Sequence, residues 1–206
     1  AQYASIVTVE LGGVKQYIQM THEHVFGIVA ETGKLAWKSQ WEGRVASIPT
    51  PIVSGADVYI TSGYGVGCKL VTVNGNQVTD VYRNTVMKNH HGGVVKLGDY
   101  LYGYSDGPGW ICQNFKTGEM VWNNKTFGKG AVAFADGRLY AQSESTGEVV
   151  LLEPSPEGYK EHGKFTLTPQ STIRSQRGKI WTHPVISNGK LYIRDQDLIH
   201  CYKIAK

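Results

Sequence analysis

A turn followed by a short strand ending in tyrosine recurs five times along this chain. It appears as GVKQY at 13–17, GADVY at 55–59, YLY at 100–102, GRLY at 137–140 and GKLY at 189–192. The tyrosines Tyr17, Tyr59, Tyr102, Tyr140 and Tyr192 stand 42, 43, 38 and 52 residues apart. A second marker keeps the same register. TGKLAW ends at Trp37 and TGEMVW at Trp122, so that Gly33 to Gly118 and Trp37 to Trp122 both repeat at 85 residues, the offset that also separates Tyr17 from Tyr102. A period near forty residues restricts the chain to architectures that stack copies of one supersecondary unit, because a single unit cannot bury its own apolar faces.

Each period reads as four short strands separated by Gly, Asn, Asp or Thr-Gly turns, the pattern of a propeller blade. The third period shows it best, with strands near 93–96, 100–104, 110–115 and 120–122. Twenty-five Gly and twelve Tyr agree with many tight turns and pleated surfaces. The expected fold is therefore all-β: a β-propeller segment of four-stranded antiparallel blades, about five in number, near 4–40, 46–84, 91–125, 130–168 and 181–206. The last of these offers three strands, near 182–186, 190–194 and 198–204. The four residues before the first strand, near 5–10, are too few to supply a good fourth, which predicts that these repeats belong to a larger propeller completed by further blades or by another chain.

Composition removes several classes of function. No apolar run approaches the ~18 residues of a membrane span. The net charge of +4 comes from scattered Lys and Arg, without the basic cluster or aromatic stripe that nucleic acid requires. Cys68, Cys112 and Cys201 lack C-x-x-C spacing. Each follows its blade tyrosine by nine or ten residues, which puts all three on equivalent third strands as buried, free thiols. No basic and apolar signal segment opens the chain.

The string A-x-T-G-K-x-x-W at 30–37 and its echo at 115–122 resemble the tryptophan-docking repeat of quinoprotein dehydrogenases and of the wider pyrroloquinoline-quinone-like propellers. KNHHGGVV, KTGEMVW and GKIWTHPVISNGKLYIRDQDL resemble exported bacterial propellers of that type with no assigned reaction. The resemblance implies seven or eight blades in the whole ring, a periplasmic or extracellular location, and a structural role for Trp37 and Trp122, each packed on a neighbouring blade. Tyr82 stands at the Trp place of the second blade, and an insert at 154–158 interrupts the fourth. Quinone-dependent oxidation of an alcohol or sugar would need a metal ion on the quinone, a catalytic carboxylate and stacking groups. None of these is recognisable, nor is an adjacent-cysteine pair, so no cofactor is expected.

Loops leading into the first strand and loops between the second and third strands share one rim of a propeller, where ligand sites form. From sequence that rim holds 87–91 and 179–183, together with 21–24, 61–65, 105–109 and 194–197. Its candidate ligand-binding residues are His22, Lys88, Asn89, His90, His91, Asp106, Arg177, His183, Arg194 and Asp195, with Glu23, Asp106 and Asp195 as carboxylate partners for the histidines. The plainer reading is that rim histidines bond backbone carbonyls, and H-x-H or H-H spacing without a third fixed ligand does not specify a metal. The function these readings favour is a non-catalytic binding or scaffold module for a protein, peptide or glycan. The alternatives are a quinone-dependent dehydrogenase and a polysaccharide-directed enzyme acting through Asp106 or Asp195.

Overall fold

The computed structural model of the chain describes residues 2–205, which leaves Ala1 and Lys206, the end of the fifth expected interval, outside the described residues. Those residues form strands and no helix. Packing divides them into two compact units, one running to His90 and including Gln113–Met120, the other made of His91–Cys112 and Val121 onward.

The first unit holds two sheets. One is β1 (Val7–Leu11), β2 (Val14–Met20), β3 (His24–Val29) and β4 (Leu35–Gln40); the other is β5 (Ile52–Ser54), β6 (Asp57–Ser62), β7 (Gly67–Asn74) and β8 (Gln77–Asn84). Each is ordered as in sequence, every neighbour antiparallel. The third sheet comprises β9 (Val94–Leu97), β10 (Tyr100–Ser105), β11 (Gly109–Asn114) and β12 (Met120–Asn124). It lies in the second unit except for Gln113–Met120, which comprise the end of β11, the turn and the first residue of β12. The second unit continues with β13 (Gly130–Ala135), β14 (Arg138–Ser143), β15 (Glu148–Glu153) and β16 (Lys160–Thr166), then a three-stranded sheet of β17 (Val185–Ser187), β18 (Lys190–Asp195) and β19 (Leu198–Lys203).

The repeat is real at the level of register. The recurring tyrosine lies on the second strand of every sheet, Tyr59 opposite Ile52 and Leu70, Tyr140 opposite Ala133 and Leu151, Tyr192 opposite Val185 and Cys201. Three residues later each second strand ends on a buried side chain: Met20, Ser62, Ser105, Ser143 and Asp195. Three third-to-fourth strand pairs carry a bulge at the corresponding place, at Gly27/Ile28, Leu70/Val71 and Leu151/Leu152. A bulge bends the outer strand and increases local twist, which a blade needs as it widens outward.

Buried apolar residues unite neighbouring sheets within each unit. Ile18, Met20, Val25 and Trp37 pack in one cluster with Val58, Ile60, Val71 and Val73. In the second unit Tyr102, Trp110 and Cys112 cluster with Leu139, Ala141 and Val150, while Val149 joins Leu191 and Ile193. Each such aliphatic side chain contributes about 1.5–3 kcal/mol when fully buried. Trp37 is buried and donates from Nε1 to Gln16 Oε1 at 2.8 Å. Tyr82 rests its ring where a side chain at Gly118 would lie and donates to Phe115 O at 2.9 Å. Half-buried Trp122 donates to Ser155 O at 2.8 Å, so the insert at 154–158 supplies its acceptor.

One expectation fails. All three cysteines are free and lie on third strands, but only Cys68 and Cys112 are buried; Cys201 is exposed. The cause is local: β7 and β11 are inner strands flanked by β8 and β12, whereas β19 is the edge of its three-stranded sheet.

Candidate functional site

In the second unit the candidate rim is assembled from loops before first strands and loops after second strands. Glu144 follows the end of β14, where Thr146 N donates to Ser143 Oγ and Gly147, at a positive φ of 71°, closes the turn onto Ser143 O. Its peptide is clamped on both sides, its N–H donating to Lys129 O and its carbonyl accepting from Ile180 N, each at 2.8 Å. This aims the carboxylate at His91, whose Nε2 lies 3.0 Å from Glu144 Oε2, with only 9% and 13% of the two side chains exposed.

His183 comes from the other incoming loop. Its Nε2 lies 2.6 Å from His91 O. A carbonyl only accepts, so Nε2 carries the proton and donates. Gly93 makes room, since a Cβ there would stand 3.0 Å from the His183 ring. The indole of Trp181 meets His91 edge-on at 6.2 Å and is 56% exposed. Asp106, at the head of the Gly107-Pro108-Gly109 turn, pairs with Lys129 at 2.7 Å. Tyr104 lies among these groups: burial raises its pKa first, then the Asp106 charge, with Lys129 opposing and Glu144 adding.

The two aspartates expected beside histidines are engaged elsewhere. Asp106 takes Lys129, and fully buried Asp195 takes the Arg174 guanidinium and the N–H of Ser171 at 3.0 Å. Asp195 thereby holds the 168–179 loop on its own sheet. Arg194 is exposed and turns back to Gln196 O, while Arg177 is exposed.

Of the remaining candidates, four lie in the first unit. Asn89 is buried and its N–H donates to Thr61 Oγ1 at 3.3 Å; that hydroxyl also donates to Met87 O. Lys88 is half-buried beside it, and His90 meets the ring of Tyr64 edge-on at 4.7 Å. His22 lines an open cleft of about 470 Å³ with Glu23, His24, Gln40, Trp41, Glu42 and Gly43. The structure thus joins His91 with His183 and places His22 and His90 in other surroundings. Among the described residues no three His, Cys, Asp or Glu side chains are grouped to hold a metal ion.

Glu144, Lys129, Trp181 and Trp41 were not singled out from sequence. Glu144 was within reach, because the tyrosine-plus-three offset that marks Ser105 before Asp106 also marks Ser143 before Glu144. Lys129 and Trp41 lie in inter-blade loops without a repeating marker.

No family model matches the chain, and no curated protein sequence matches it. Solved structures do. A β-propeller domain of Cps50 (Swd1) from Myceliophteria thermophila is similar over 98% of this chain and 74% of its own, at 12% identity and a TM-score of 0.53. This chain has the β-propeller fold. BamB from Moraxella catarrhalis matches 94% of this chain and 67% of its own at 15% identity and a TM-score of 0.52. A nidogen/laminin complex contains a chain matched over 98% of this one and 77% of its own, at 11% identity and a TM-score of 0.54. At these identities the likeness is one of fold.

Proposed function

We infer that the chain is a binding module of the pyrroloquinoline-quinone-like propeller type, whose loop rim in the second unit receives a protein partner. The observation that carries this reading is how the rim's reactive groups are spent. His91 faces Glu144, Asp106 faces Lys129, and Asp195 faces Arg174 inside the sheet. A general base or nucleophile needs a reactive atom within reach of substrate. What this rim presents outward is an exposed indole, Trp181, among polar loops with exposed Arg177 and Arg194, the composition of a protein-binding hot spot with its polar surround. The matched nidogen/laminin complex supports a propeller that meets another protein. A quinone and a calcium ion have no place in this reading, and location outside the cytoplasm goes with the repeat type.

The test replaces Trp181 with a photo-crosslinking amino acid and, separately, an exposed residue of β16. A defined adduct from position 181 alone, lost when Arg177 and Arg194 are both changed to Glu, is the expected result. Dye reduction with simple alcohols after reconstitution with pyrroloquinoline quinone and calcium would overturn the reading.

A further inference from the structure

The segment that carries Trp181 is fastened on both sides of the indole. Lys179 O accepts from Gln196 Nε2 at 3.4 Å and Ile180 N donates to Glu144 O at 2.8 Å. Beyond the indole, Thr182 Oγ1 donates to Arg194 O and His183 Nε2 to His91 O, each at 2.6 Å. The ring between these ties is 56% exposed, so it stands in place and open to a partner. An anchor fixed in advance loses little side-chain and loop entropy on binding.

The same ties order a cation. Arg194, whose carbonyl receives Thr182, folds its guanidinium back so that Nε donates to Gln196 O at 2.7 Å. Gln196 sits at a positive φ of 56° in the turn between β18 and β19 and also reaches Lys179, so one turn holds both the indole's segment and the arginine. That bond spends Nε and leaves the two terminal nitrogens on an exposed side chain. A planar fork held in this way offers parallel N–H donors, the geometry that matches a carboxylate.

The charges around Trp181 decide the partner's chemistry. In the segments 168–184 and 194–197 the carboxylates are Asp195 and Asp197. Asp195 is fully buried against Arg174, and Glu144, which faces the segment from β14, is 13% exposed and turned to His91. Asp197 is therefore the exposed negative charge of these segments, and its Oδ1 accepts from Ser171 Oγ at 2.6 Å. Against it stand exposed Arg177 and Arg194 and half-buried Lys179, which have no carboxylate partner among the described residues. Exposed His183 donates from Nε2 and adds a positive charge only when doubly protonated. The excess is positive, but three cations about one indole are too sparse for a nucleic acid or a sulfated glycan, whose charge density calls for a basic cluster. They suit a polypeptide with a carboxylate or two beside an apolar residue. We propose that the partner of this rim presents an acidic segment, with a carboxylate taken by the Arg194 fork and an adjoining apolar side chain against the Trp181 indole. Such recognition presupposes that the rim is the protein-binding surface inferred from its spent reactive groups.

The test is a titration of nitrogen-15-labelled protein read at the indole N–H of Trp181, assigned by its loss in Trp181→Phe. The probes are synthetic heptapeptides in which a central leucine is flanked by glutamates, by glutamines or by lysines, and a heparin hexasaccharide. A saturable shift with the glutamate peptide alone, weakening as salt is raised, is expected. The Arg177→Gln, Arg194→Gln double variant should weaken it at least about tenfold. Arg194→Lys keeps the charge, loses the fork and should weaken it about threefold. Asp197→Asn removes the exposed like charge and should tighten binding about twofold, a gain that a merely structural role would not give. Lys38→Gln, an equal loss of charge at an exposed site on β4, should leave binding unchanged. An acidic partner is overturned by no saturable shift with the glutamate peptide, by an equal shift with the glutamine or lysine peptide, by a response to heparin alone, or by undiminished binding in the double variant. If position 181 still yields its defined photo-crosslinked adduct alongside such a result, the rim binds a protein of other chemistry; if the adduct is absent too, the protein-binding reading itself fails.

Discussion

Glu144 Oε2 lies 3.0 Å from His91 Nε2, joining the turn after β14 to the loop before β9 through two side chains that are nearly out of water. The contact has a structural task, because the same two residues also anchor Ile180 and His183 through their carbonyls. Glu144→Ala removes this nearly dry contact and should lower unfolding free energy by about 0.5–3 kcal/mol in urea titrations. An unchanged midpoint would show that the pair carries no load.

Backbone crowding where first strands begin gives a sharper contrast. A Cβ on Gly130 would stand 1.6 Å from Gln142 O, and one on Gly92 would stand 1.9 Å from Gly130 O. Backbone cannot yield as a flexible side chain can. Gly130→Ala should cost at least the ~1–3 kcal/mol of an overpacked core. Gly33→Ala meets nothing within 4 Å and pays only for its φ of 67°, about 1–2 kcal/mol. Thermal unfolding of the two variants side by side checks the order, and a Gly130 variant as stable as the Gly33 variant would refute it.

How much of this was legible in the sequence follows from which interactions are local. The tyrosine of each second strand and the third-strand cysteines, nine or ten residues further on, recur with the repeat, so second and third strands can be placed from spacing. The pairing of Asp195 does not. Its partner Arg174 comes from an inter-blade loop with no repeat counterpart, and nothing in the spacing distinguishes a carboxylate aimed at a histidine from one drawn into its own sheet. The exposure of Cys201 was hidden for a related reason: offset identifies the strand, while burial depends on whether another strand flanks it. The sequence groups the rim histidines because they share loop types. Their separation into a pair, His91 with His183, and single residues in other surroundings depends on side-chain direction, which composition does not encode.

Trp37 and Trp122 share a sequence position but differ in environment. Trp37 is buried, bonds Gln16, and lies where a Cβ on Gly27 would come within 2.5 Å of its Nε1. Trp122 is half-buried against Tyr102 and Tyr159, at ring distances of 6.2 Å. Trp37→Ala should therefore cost about 3–5 kcal/mol and Trp122→Ala less. Chemical denaturation of both variants measures the difference; equal losses would mean that the ring contacts of Trp122 compensate for its exposure.

The thiols give a prediction in both reactivity and pH. With native protein near neutral pH, a thiol reagent should modify Cys201 rapidly and reach Cys68 and Cys112 only on unfolding. Burial raises the Cys68 pKa and pushes that of Cys112 up to about 11. A raised thiol pKa means that the folded state holds its proton more tightly than the unfolded chain. The corresponding stability is fully present below the ordinary thiol value of about 8.5 and is lost as pH rises from there through the folded value. Tyr59, Tyr82 and Tyr102 are also raised by burial, but their loss begins only near the ordinary phenol value of about 10. The decline in unfolding free energy between about pH 8.5 and about pH 10 should therefore belong to the two buried thiols. Urea titrations across that window should show it flattened in the Cys68→Ser, Cys112→Ser double variant, with the decline above it retained. The same slope in both proteins would assign the alkaline loss to other groups.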